Sequence, residues 1–342
     1  MLRSLYAGIS GMKVNQVKLD VIGNNIANVG TTAFKSSRVR FQDMVSQSMS
    51  EALAPGTNQG GVNARQVGLG VQVAGIDTLV GQGMMQPTSR NLDVAMDGEG
   101  YLVVGKGSLP ATNAGGVALS ANSTVNTANG MNLSYTRDGA LTLDNSGNLL
   151  NSDGLRVLGY PISDTTASSV ISIEYTVANT PPKLTYVNAD SNTLKAGSNL
   201  VPLVIPNEII TTGTTTSRIT TFSIEKDGVI KAILADGKVA VLGQIAMASF
   251  KNPAGLSKVG GNTYTSTSNS GAAVVRSGTG TPTATDNSKG YGDMLSGMLE
   301  MSNVDLAEQF TDMIVAQRAF QASGKAITTG DEILQEIIGL KR

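Results

Sequence analysis

The chain has no cysteine, no histidine and no tryptophan among its 342 residues, and aromatic residues make up only 4%. Without cysteine there is no disulfide, no thiol nucleophile and no thiolate metal site, and the compartment's redox state is irrelevant to folding. The absence of histidine removes the commonest general base and metal ligand. No run approaches the ~20 apolar residues of a membrane helix, so membrane insertion is not expected. Met1-Leu2-Arg3-Ser4 lacks the charged, apolar and small-residue regions of a cleaved secretory signal. A formal net charge of −1 supplies no electrostatic footprint for nucleic acid. What is plentiful is glycine, 40 residues of it, with serine, threonine and asparagine concentrated in the middle of the chain. That composition suits strands joined by many turns, and the length allows two or more domains.

The strongest pattern lies at the two ends. Leu2, Leu5, Ile9, Met12, Gln16, Leu19, Gly23 and Ile26 recur at alternating three- and four-residue steps. Leu306, Phe310, Met313, Gln317, Phe320, Gly324, Ile327, Asp331, Leu334 and Ile338 do the same. This spacing is the seam of a coiled coil, and neither stripe is satisfied by a lone helix in water. It predicts helices over 4–29, with Ser4 as N-cap and Gly30 past the end, and over 304–338, with Ser302 and Asp305 as a near capping box. The second would run roughly 50 Å, which suits a projecting helix. Residues 1–40 carry Arg3, Lys13, Lys18, Lys35, Arg38 and Arg40 against Asp20, whereas the C-terminal stretch is acidic. Opposed charge favours pairing of the ends; solvated helix faces account for any one of these residues equally well.

Between the ends the texture is β. Val71-Gln72-Val73, Leu92–Met96 and Tyr101–Val104 read as strands. Asp138-Gly139, Asp227-Gly228 and Asp236-Gly237 sit between alternating segments as hairpin turns. The expected fold class is mixed α and β: N- and C-terminal helices paired as a coiled coil around a discontinuous all-β middle domain. The expected boundaries are 1–30 plus 300–342 for the helices, 31–70 plus 291–299 for linkers with a short helix near Phe41–Met49, 71–162 plus 222–290 for the β domain, and 163–221 for a small inserted region. Chemistry is poorly served. Gly68-Leu69-Gly70 and Gly98-Glu99-Gly100 do not complete a dinucleotide fingerprint. Asp144, Ser146 and Asn148 begin like a calcium loop, but Leu149 and Leu155 occupy the positions that need glycine and glutamate. No carboxylate pair stands out, so no enzyme activity, metal or cofactor is expected.

Leu19–Asn28 followed by Thr32-Ala33-Phe34-Lys35 resembles the N-terminal signature of the bacterial flagellar rod/hook axial proteins. Ser302–Leu306 and Met313–Gln321 resemble the matching C-terminal signature, and Leu92–Met96 and Tyr135–Gly139 resemble landmarks of the family's β domain. The signature residues are Asn24, Asn25, Asn28, Phe34, Asn303, Gln317 and Arg318. Within the family, Val67–Ile76 and Gly159–Ile162 are closer to hook than to rod members, although the stretch 163–221 is short for the outer domain many hook proteins carry, which favours the distal rod as the alternative. The resemblance implies a self-assembling subunit of a curved helical tube. Its partners would be itself, the hook cap, the distal rod and hook–filament junction proteins, and the flagellar type III export apparatus. Its location would be the extracellular hook, reached without a cleaved signal peptide. The terminal stripes are then expected to stay poorly ordered until neighbours complete their core, with Gln16, Gln317 and Asp331 either setting register or merely tolerated. A monomeric cell-surface adhesin is the competing class.

Overall fold

The computed structural model describes residues 2–56, 60–107, 116–120, 123–125, 131–164, 169–170, 184–191, 193–197, 199–212, 215–277 and 292–340. The chain forms two units. One comprises Met1–Gly30, Lys35–Val80 and Asn303–Arg342, and the other Thr31–Phe34 and Gly81–Ser302.

The first unit is built on two helices, α1 (Leu2–Ala27) and α2 (Leu306–Gly339). α1 starts before Ser4, so Ser4 lies inside the helix rather than at its cap. The cap of α2 is Asp305, not Ser302: its carboxylate accepts from the backbone N–H of Ala307 at 2.8 Å and of Glu308 at 3.4 Å. Aspartate is among the best residues for this position, and its charge also meets the helix dipole. Lys341 and Arg342, expected to favour the C-terminal dipole, lie outside the described residues.

The segment expected to be a linker with a helix near Phe41–Met49 is instead a β arm. β1 (Ser37–Asp43) pairs antiparallel with β4 (Val71–Thr78), and β2 (Ser46–Ser50) with β3 (Arg65–Gly68). Serines 46, 48 and 50 are weak helix formers, and pairing satisfies a backbone that a short polar helix would leave exposed to water. The arm therefore belongs with the helices. α1 packs against β1 and β4, and Gly70, at φ +130°, brings the turn before β4 against Ser10 of α1.

Among the described residues the second unit is built of β-strands, with a single 3-10 turn at Pro253–Gly255. Its main sheet, among the described residues, has 16 strands. The meander Thr215–Ile224, Val229–Leu234 and Val239–Ile245 turns at Gly228 and Gly237, both left-handed as the Asp-Gly signals require. It continues through Arg156–Tyr160 to β7 (Tyr101–Lys106) and Asn132–Thr136. Asp138-Gly139 is not a hairpin turn. The strand Asn132–Thr136 pairs with β7 and with Thr263–Thr265, whereas Thr142–Leu143 pairs with Leu149–Leu150. Asp138 is buried and accepts from the Thr32 and Ser152 hydroxyls, each at 3.0 Å, as well as from Ala140 N at 3.3 Å, so its side chain anchors distant segments while bending its own.

Residues 163–221 are not a separate insertion. Val201, Leu203, Val204 and Ile209 are fully buried in the same core as Leu102, Val104, Val157 and Ile230. Strands Asn199–Pro202 and Glu208–Thr212 pair within the main sheet. Pro181 and Pro182, and most of 165–183, lie outside the described residues. The boundary near residue 300 also shifts. Met298–Glu300 pairs with β5 (Met85–Pro87), and Asp293–Ser296 with β6 (Val94–Asp97), so the β unit ends at Ser302.

Candidate assembly interface

In the helical unit the two termini lie side by side and antiparallel. The partners run in opposite order along the two helices. A methyl added at Gly330 would sit 2.9 Å from Leu5 Cδ2, and one at Gly8 would sit 2.9 Å from Ile327 Cγ1. One at Gly11 would meet Ser323 Oγ at 3.1 Å, and one at Gly324 would touch Met12 Sδ at 3.8 Å. Further along, Lys18 Nζ lies 3.2 Å from Asp312 Oδ1, and Asn25 Nδ2 donates to Gln309 Oε1 at 3.0 Å. Leu5, Met12 and Ile327 therefore each face a glycine of the other helix. A glycine inside a helix costs about 1 kcal/mol relative to alanine; close approach of the backbones is the packing reason for these.

A second cluster closes the base of the pair. Asn25 is 1% exposed. Its Oδ1 accepts from Ser37 N at 3.0 Å and its Nδ2 donates to Ser37 O at 2.9 Å, as a neighbouring strand would. Asn303 Oδ1 accepts from Ser36 N at 2.8 Å and its Nδ2 donates to Leu79 O at 2.8 Å. Two asparagines thus sew α1 and the entry to α2 onto the first residues of β1 and the last of β4. Asparagine suits this work because one amide offers both a donor and an acceptor to a peptide group.

The sequence-derived stripes fall only partly on this seam. Leu5, Met12, Leu19, Ile26, Met313, Ile327 and Leu334 are half-buried. Ile9, Leu306, Phe310, Phe320 and Ile338 are exposed, by 38, 40, 50, 38 and 71%. Gln16, Gln317 and Asp331 are exposed as well, so none of them sets register within the pair; Asp331 accepts instead from Gln335 of its own helix. The side chain of Leu2 lies outside the described residues. Fully buried positions are Val14, Ile22 and Asn25 on α1 and Ala316 on α2. The pair buries few side chains completely and leaves several of its large ones in water. A search for large apolar residues finds the outward face as readily as the seam; the intrahelical glycines at 8, 11, 324 and 330 were the signal that could have located the seam itself.

Of the signature residues, Asn25 and Asn303 form the base cluster. Asn28 Nδ2 donates to Asn24 O and Oδ1, finishing α1. Arg318 reaches Gln321 on its own exposed turn at 3.2 Å. Phe34 belongs to the β unit, where it is buried under the Lys258 ammonium, 4.8 Å from the ring centre.

The outward apolar surface is large for a single chain. On α2 it comprises Phe310, Ile314, Val315, Ile333, Ile337 and Ile338, each at least 43% exposed, and on the arm Val45, Met49 and Leu53, each at least 66%. Patches of this kind mark interaction surfaces. Among the described residues there is no group of three or more acidic, histidine or cysteine side chains able to hold a metal, and no helix long and apolar enough to cross a membrane.

Residues 5–35 match the model of the flagella basal body rod protein, 131–232 that of the flagellar hook protein FlgE/F/G D1 domain, and 295–340 that of the flagellar basal body rod FlgEFG protein C-terminal region. The flagellar basal-body rod protein FlgG of Bacillus subtilis is 40% identical over 342 residues, with both chains covered completely. The flagellar hook protein FlgE of Borreliella burgdorferi is 34% identical over 472 residues, again covering both chains, and FlgG of the same organism is 31% identical over 344. The chain therefore belongs to the flagellar rod/hook axial protein family, a family of structural basal-body and hook components rather than of enzymes. Rod and hook branches are both represented among these relatives. The alignment with the Borreliella hook protein is far longer than the 342 residues of this chain, so that relative carries sequence absent here.

Proposed function

We propose that this chain is a self-assembling axial subunit whose terminal helices line a helical tube, and that the tube is the flexible hook. The observation that carries the reading is a helix pair closed on glycines 8, 324 and 330 that still leaves Phe310, Ile314, Val315, Ile333, Ile337 and Ile338 of α2 exposed. Completing the burial of one such half-exposed side chain is worth on the order of 1–2 kcal/mol. Six on α2 and three on the arm together rival the 4–15 kcal/mol or so that association costs in lost freedom. Contacts between different patches of successive copies build an open helix rather than a closed ring. Supercoiling of α1 and α2 as a coiled coil, and contact of Ile9, Phe310, Phe320 and Ile338 with neighbouring copies, belong to this proposal. So do export through the type III apparatus, growth beneath a cap, the rod and junction neighbours, and residence outside the cell.

Val67–Ile76 and Gly159–Ile162 support the hook over the rod. The distal rod is the second reading, favoured by the 40% identity to a FlgG protein and by the missing extra sequence of the longer hook relative. Electron microscopy of concentrated, salted-out protein tests both. Curved tubes are expected of a hook subunit and straight, stiff ones of a rod subunit. Protein that stays monomeric at high concentration and salt contradicts both and returns the adhesin class.

A further inference from the structure

In the β unit a buried ion pair joins two residues that enter the fold far apart in chain order. Arg137 Nε lies 2.9 Å from Glu300 Oε2, with the side chains 3% and 0% exposed. Arg137 also donates to Gly98 O at 2.7 Å. Glu300 holds three segments at once. Besides Arg137, its Oε1 accepts from Gly83 N at 2.8 Å and its backbone oxygen accepts from Ala33 N at 2.8 Å. Gly83 allows this because any Cβ there would collide with Met301 O.

The ladders around it add a second observation. β5 forms a ladder only with Met298–Glu300, and β6 only with Asp293–Ser296, among the described residues. Yet Val94, Ala95 and Met96 of β6 are fully buried. Besides single hydrogen bonds to Gly139 and Arg137, β6 finds its ladder partner about two hundred residues downstream, whereas the meander Thr215–Ile245 is made of sequence neighbours. Local pairings form before distant ones because less chain has to be ordered to close them.

We propose that Glu300 is a closure latch. The β unit folds in two stages, meander first, and its second stage waits until the carboxylate of the last strand arrives to pair the Arg137 guanidinium. Before that arrival the guanidinium cannot be buried without an uncompensated charge, which is the expensive arrangement. The latch sits six residues before α2. This inference concerns the folding of one chain and stands apart from the hook reading.

The test is refolding of the full-length chain followed by pulse-labelled hydrogen exchange. Amides of Val229–Leu234 and Val239–Ile245 are expected to gain protection first, and those of Val94–Asp97 and Asp293–Ser296 in a later phase. Glu300→Gln keeps size and a side-chain acceptor but removes the charge. It is expected to slow the late phase by about tenfold or more and leave the early phase unchanged. Arg137→Met with Glu300→Met removes both charges and is expected to bring the late phase back to within about threefold of the parent, which keeps the test readable if the single variant fails to close. Simultaneous protection of both sets, equal slowing of both phases in Glu300→Gln, an unaffected late phase, or no recovery in the double variant each overturns the latch.

Discussion

Asn25 shows how much one amide can hold. Replacing it with alanine removes three hydrogen bonds, to Ser37 N, Ser37 O and Gln309 Oε1, from a side chain that is itself buried, a loss of about 1–3 kcal/mol. Asn25→Ala is expected to lower the urea midpoint of the helical unit, followed by circular dichroism, while tyrosine fluorescence from the β unit keeps its own midpoint; equal shifts in both signals contradict the assignment. The tyrosines make a pH prediction of their own. Tyr101 and Tyr135 are pushed up to about 12, Tyr101 by burial against the partly offsetting charge of Arg137 and Tyr135 by burial alone. Burial raises Tyr264 too. A phenol ionising near pH 10 in the unfolded chain and near 12 in the folded one makes the unfolded state the poorer proton binder between those values, so stability falls as pH rises through that window and is flat below it. The β unit should lose stability from about pH 10 upward, and Tyr101→Phe should flatten the slope in urea titrations at successive pH values. A slope that Tyr101→Phe leaves unchanged counts against the shift.

Among the elements, α2 carries the assembly argument. Phe310→Glu and Ile314→Glu place a charge on its outward face without touching the seam. Each is expected to raise the concentration needed for polymerisation by about tenfold or more, the effect of ~1.4 kcal/mol per contact, with the monomer's helix content unchanged; sedimentation of polymer reads this directly. Gly8→Val does the reverse. Its side chain meets Ile327, so it should disturb the seam that assembly orders and lower the helix content of the tubes, and tubes with unchanged circular dichroism would remove the seam as described. These elements were unequally legible in the sequence. Periodicity located both helices to within two residues, because a 3–4 alternation over several turns has no competing explanation. Its stripe includes Leu5, Met12, Gly324 and Ile327 of the seam but does not separate them from the exposed Phe310 and Phe320, because hydropathy ranks Phe310 above Gly330 and glycine carries no hydrophobic signal. The arm at 37–78 was hidden for a different reason: its strands find partners in each other and on α1, and local propensity says nothing of a partner. Asp138-Gly139 misled because a buried carboxylate and a turn carboxylate look alike until Thr32 and Ser152 are placed beside them. Asn25 and Asn303 were visible only through resemblance to the family, since an asparagine that mimics a strand leaves no periodic trace.

For the molecule as a whole, the two units divide the work. The β unit holds nearly all of the buried apolar core, while the helical unit buries little and exposes much. That asymmetry is what a subunit needs if it is to remain soluble as a single chain and harden when stacked: the body folds alone, and the ends gain their remaining burial from copies. The measurement that bears most directly on this is hydrogen exchange of α1 and α2 amides, compared between dilute monomer and assembled tubes. Fast exchange along both helices when dilute and slow exchange in tubes, with the β unit slow throughout, is the expected result. Helices fully protected in the dilute monomer would contradict it.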